Sequence, residues 1–182
     1  MNHSLTLKSI AATSLLMLAA STFAHIVLDQ PAALAGTSYK AVFRVGHGCA
    51  GSPTTAIKVL IPAGFRGAKP MPKPGWVLSI QREKLAQPYE THGRLVTDAV
   101  TQITWTAASR DDWLSNDWYD EFVLRGGLPA EAGALWFKVL QTCEQGGTDW
   151  AEIPSSGTST HGLKAPAALL EIIPIGHVGH AH

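Results

Sequence analysis

The sequence predicts an all-β chain: an antiparallel β-sandwich of immunoglobulin-like plan, closed by one disulfide. Three observations predict it. Apolar and polar residues alternate with a period of two through most of the chain, the mark of half-buried strands. Turn formers recur between those runs, with 17 Gly and 11 Pro in 182 residues. Charged residues make up only 15% of the chain, which suits short strands and many turns better than a helical bundle.

The strands follow in order. "HIVL" opens the sandwich at residue 25. "SYKAVFRV" puts Tyr39, Ala41, Phe43 and Val45 on one face, with Lys40 and Arg44 on the other. "TAIKVLIP" sets Ile57, Val59 and Ile61 opposite Lys58. "WVLSI", "AVTQITWTA", "YDEFVLR", "ALWFKVLQ", "DWAEIP" and "AALLEIIP" complete the set. Between them lie the breakers "QPAALAGT", "HGCAGSP", "PAGFRGAKPMPKPG", "RGGLPAEAG", "EQGG" and "PSSGTSTHG". Helical turns are expected only around "LAQPYETHG" and "SRDDWLSND". About eight or nine short strands with frequent turns are what a sandwich requires. The "KPMPKPGW" loop alternates proline with basic residues and reads as a stiff connection rather than a docking surface.

Residues 1–24 have the form of a secretory signal: Lys8 in a short n-region, the apolar core "SIAATSLLMLAA", then small Thr22 and Ala24 at the positions a signal peptidase reads. The cut is expected between Ala24 and His25, with an uncleaved anchor as the alternative, and the periplasm is the expected address. The sandwich then occupies residues 25–174, and 175–182 form a disordered tail bearing His177, His180 and His182. No later segment is long and apolar enough to span a bilayer, so no transmembrane helix is expected in the mature chain. Losing Lys8 from a balance of 14 basic and 14 acidic residues leaves a net charge near minus one. That gives no electrostatic case for nucleic acid or anionic lipid.

The two cysteines, Cys49 and Cys143, most simply pair in an oxidising compartment. A thiolate metal site is the alternative, and without CxxC spacing it is a poor one.

Cleavage before His25 frees an α-amine with a reference pKa near 7.7–8.0. The amine and the Nδ1 of the same residue can close a chelate ring on one ion, and divalent copper favours such nitrogen donors. A solvated terminus is the plain alternative. Trp150 and Glu152 stand two residues apart in "DWAEIP" and so share a strand face. Glu152 offers a carboxylate, whereas Trp150, with only an N–H donor and a π-face, can wall off one side of an ion. The plain reading makes Trp150 core and Glu152 a solvated strand residue. His47 and Glu144 each neighbour a cysteine, so the disulfide is expected to draw them together. Asp120 and Glu121 in "YDEF" read as a solvated face. With Met71 the one methionine after residue 24, a thioether site for monovalent copper is not expected.

Together, "AHIVLDQPAALAGTSYKAVFRVGHGCAGSPTTAIKVLIPAG", "KPMPKPGW", "WYDEFVLR", "QTCE" and "WAEIP" resemble the YcnI-like copper-binding domain family, from His25 to about residue 166. The resemblance implies a β-sandwich outside the cytoplasm. It also implies one copper(II) per chain, held by the mature N-terminal histidine in a one-histidine brace with acidic and tryptophan residues around it. Carried onto this chain, the brace falls on His25 and the tryptophan on Trp150, with Trp136 as the alternative. The acidic partner falls on Glu152, then Glu144. Some relatives end in a membrane helix, whereas this chain ends in a histidine-bearing tail. The implied role is copper chaperone or buffer, beside copper-transport or oxidase-assembly proteins of the cell envelope, without enzymatic activity. Two alternatives stand. A copper-dependent oxidase or monooxygenase needs a second histidine, from His47, His92 or His161. A binding module needs only incidental metal affinity.

Overall fold

The computed structural model describes residues 25–91 and 93–176. The proposed signal, His92 and the tail histidines lie outside the described residues. Among the described residues eleven strands are present: β1 (Val27–Leu28), β2 (Ala32–Leu34), β3 (Ser38–Val45), β4 (Thr54–Leu60), β5 (Arg66–Pro70), β6 (Trp76–Thr91), β7 (Arg94–Ala107), β8 (Asp120–Gly127), β9 (Gly133–Cys143), β10 (Gly147–Trp150) and β11 (Ala168–Ile173). Two sheets form. One has the order β1-β3-β8-β5; the other has the order β2-β11-β9-β4-β7-β6, with β10 also paired to β9. Pairing is antiparallel except for β2 beside β11.

The expected periodicity is realised in the burial. Tyr39, Ala41, Phe43 and Val45 face inward from β3, and Ile57 and Val59 from β4. Aromatic pairs join the sheets edge to face: Phe43 meets Phe137 at 5.4 Å, and Trp105 meets Phe122 at 5.7 Å between ring centroids. Such pairs add about 1 kcal/mol each beyond the area they bury. The "KPMPKPGW" loop is pinned at three points. Trp105 Nε1 donates to the Met71 carbonyl at 3.0 Å, Lys73 pairs with Asp120 at 2.6 Å, and Gly75 sits at φ 75° against the Asp112 carboxylate. Among the described residues no helix is long and apolar enough to cross a membrane.

Three expectations are corrected. Residues 85–91 of "LAQPYETHG" are not a helical turn but the outer end of β6. Its exposed side chains leave no alternation to read, and Pro88 is tolerated because β6 is an edge strand. "SRDDWLSND" holds a helical turn as expected, the 3₁₀ turn Arg110–Asp112. Two segments read as breakers contain edge strands, β2 and β5. Their Gly, Ala and Pro content hides them, because an edge strand is made by its neighbour's free hydrogen-bonding groups more than by its own propensity.

Candidate functional site

Cys49 and Cys143 are bonded, with Cα atoms 6.0 Å apart at a sequence separation of 94. The bond ties the β3–β4 loop to the end of β9. Backbone bonds reinforce the same junction: Cys49 and Ser52 exchange hydrogen bonds at 2.9 Å, and the Glu144 amide donates to the Pro53 carbonyl. Gly48 has no space for a side chain there, since a Cβ would lie 1.9 Å from the Ser52 carbonyl oxygen.

Below this junction β9 alternates Leu135, Phe137, Val139, Gln141 and Cys143 toward the core. Gln141 is the polar member of that row, 2% exposed. Its Nε2 donates to the His47 carbonyl at 2.7 Å and to Thr54 Oγ1 at 2.8 Å. Its Oε1 accepts the Trp150 indole N–H at 3.0 Å. A buried amide with these partners is satisfied and rigid, and it fixes the plane of the indole. Trp150 is at the end of β10, opposite Val139, and is 3% exposed.

His25 packs on this anchored indole. The ring centroids lie 5.7 Å apart, tilted at 57°. The sequence places it there because Ile26 and Leu28 bury on the core side of β1, which leaves His25 half-buried just before β1. His47 meets the same indole edge-on at 6.3 Å, with its Nδ1 engaged by the Gly48 carbonyl.

The outer face of the four-stranded sheet also reaches His25. Val27 opposes Arg44 and Arg44 opposes Glu121, and His25, Gly46 and Tyr119 lie just beyond these paired residues. A surface depression is lined by His25, Val27, Arg44, Gly46 and Tyr119. Tyr119 donates its phenol to Glu121, and that bond holds the phenol pKa above its ordinary value. Arg44 pairs with Asp29 at 3.2 Å. Glu121, read from sequence as a solvated position, therefore lies half-buried on the face that His25 closes. Gln141 was missed altogether, although a lone polar residue on an inward-facing row is a signal the alternation provides.

The other candidates are placed as follows. Glu152 lies beyond β10, exposed, joined to Pro166 by an isolated bridge, and its Oε2 accepts the Lys164 amide at 2.9 Å. Pro166 lines a small cavity with His25. Glu144 pairs with Arg110. The disulfide was expected to draw Glu144 and His47 together, but their side chains engage different partners. Trp136 is on the outward side of β9, opposite Leu169, away from the row that carries Gln141. His161 is exposed in the loop before β11.

Over residues 25–172 the chain matches the family described as "Domain of unknown function (DUF1775)". No curated protein matches it. Among solved structures it is similar to an uncharacterized protein from Nocardia farcinica, described as having an immunoglobulin-like fold. The TM-score is 0.62 and the identity 26%, over 81% of this chain and 97% of that one. The family match runs from His25 into β11, and the protein is therefore a member of the DUF1775 family, the YcnI-like family.

Proposed function

We propose that this protein is a periplasmic copper(II)-binding protein, a chaperone or buffer rather than an enzyme, that carries one ion per chain at His25. After cleavage behind Ala24 the donors are the α-amine and Nδ1 of His25, joined by one carboxylate. The observation that carries the reading is the seating of His25: half-buried at the first position of the family match, against an indole whose N–H is already spent on Gln141. The donor set fits divalent copper, with two nitrogens from one residue and hard oxygen beside them. Among the described residues no three His, Cys, Asp or Glu side chains converge, so a tight site here draws on the backbone amine. Glu121 is the better carboxylate, because it lies on the outer sheet face that leads to His25, whereas Glu152 lies beyond the end of β10. Trp150 shields one side of the ion with its π-face. An ion held at the rim is open to transfer, which suits delivery to copper-transport or oxidase-assembly proteins of the cell envelope.

Titration of the processed protein with copper(II), read by electron paramagnetic resonance, tests this. A variant with one extra residue before His25 loses the tight signal, and Glu121→Gln weakens it more than Glu152→Gln. Full affinity in the extended variant overturns the reading. Deleting residues 177–182 in every sample removes the tail histidines as a competing site.

One observation favours a second reading. His47 packs on the same indole as His25, so a two-histidine oxidase or monooxygenase site has its residues on one platform. Copper-loaded protein that consumes peroxide with a reductant, and stops doing so as His47→Ala, supports that reading.

A further inference from the structure

We propose that the cleft between the outer face of the four-stranded sheet and the β6–β7 arm binds a small polyanion, a compound bearing phosphate or carboxylate groups. The site is at the end of that face away from His25 and is independent of copper.

Lys40 opposes Arg125 across β3 and β8, and Lys69 opposes Arg125 across β5 and β8, so three cations stand in one cross-strand row. Directly opposed like charges destabilise a sheet. All three are exposed, and none forms an ion pair among the described residues.

The third cation is put in the row by a distortion. Arg66 opposes Gly127 and Lys69 opposes Arg125, so β5 carries one extra residue over that span. Gly67, at φ 61°, makes the bulge possible. Without it Ala68 would face Arg125, and Lys69 would point at the core. With it Ala68 turns inward, 6% exposed, and Arg66 and Lys69 both line the cleft.

The opposite wall comes from the arm. The β6–β7 register shifts between Lys84 and Tyr89, around Pro88. Tyr89 then receives the Arg66 guanidinium 4.8 Å over its ring. The cleft has a volume of about 590 Å³, within the range of small-molecule sites. Arg66, Lys69 and Arg125 line it against one carboxylate, Glu90. Arg125 also donates to Ser38 Oγ at 3.4 Å, a weak bond that leaves most of its fork free for an oxyanion.

Isothermal titration of the metal-free protein with pyrophosphate and with citrate, at pH 7.5 and low ionic strength, tests the proposal. At least one probe binds with a submillimolar Kd, and added salt weakens it. Arg125→Gln and Lys69→Gln each reduce affinity about tenfold, while Lys138→Gln on the other sheet leaves it unchanged. These are exposed polar replacements, and circular dichroism verifies the fold. Binding of pyrophosphate alone assigns a phosphate ligand, and of citrate alone a polycarboxylate. Absence of binding by both probes up to about 5 mM, or equal weakening by Lys138→Gln, overturns the proposal. So does binding only of a poly-glutamate peptide, which would make this face a protein-docking surface.

Discussion

Replacing Gln141 with leucine removes the support beneath the His25 platform, and its cost can be worked from the geometry. Three hydrogen bonds disappear, at 2.7, 2.8 and 3.0 Å, all within or beside the core. At about 1 kcal/mol each they amount to roughly 3 kcal/mol. The Trp150 N–H is then left buried without a partner, which adds about 1 kcal/mol more. The leucine returns about 1 kcal/mol through apolar burial. The net loss is about 3 kcal/mol, or about 6–12 °C in Tm for a chain of this size. Urea unfolding with the disulfide intact, followed by far-ultraviolet circular dichroism, measures it. Trp150→Phe removes one bond of the three, so the double variant shows a coupling of about 1 kcal/mol. A loss below about 1 kcal/mol, or strict additivity of the two substitutions, would refute the claim that Gln141 holds the indole.

Replacing both Cys49 and Cys143 with alanine opens a loop spanning 94 residues. On the chain-entropy account this costs about 4–5 kcal/mol, read as a lower urea midpoint, and an unchanged midpoint contradicts it. Gly48→Ala forces a Cβ to within 1.9 Å of the Ser52 carbonyl oxygen and costs about 2–3 kcal/mol. Ala50→Gly, at φ 48°, relieves left-handed strain, and its midpoint is equal or higher; the opposite ranking of these two variants defeats the argument. Tyr39 donates to the Gln30 carbonyl at 2.5 Å, and burial, then the Asp29 charge, push its pKa from 10.0 up to about 12. The unfolded chain therefore ionises first. The stability contributed by neutral Tyr39 is complete below about pH 10 and is lost as the pH rises toward 12. Tyr39→Phe lacks this component, so its difference from the unsubstituted protein shrinks across that window. A difference independent of pH there counts against the assignment.

The sandwich was legible because burial imposes a period of two on any strand with one wet face. "SYKAVFRV" and "ALWFKVLQ" carry that period plainly, and a chain with two cysteines admits one intramolecular pairing. The place of His25 was legible only in part: the sequence put it at the start of the sandwich, and its packing on Trp150 came from the fold. Periodicity is silent where a strand has no buried face, so the β6–β7 arm and the β5 edge emerged only from pairing with their neighbours. Register decided the rest. It set Glu121 on the face of His25, turned Glu144 to Arg110 and Glu152 to Lys164, and aligned Lys40, Arg125 and Lys69 through one bulge. Alternation assigns a side chain to one of two faces. Which residues from distant strands meet on that face depends on hydrogen-bond register between strands, and register is a property of the assembled sheets.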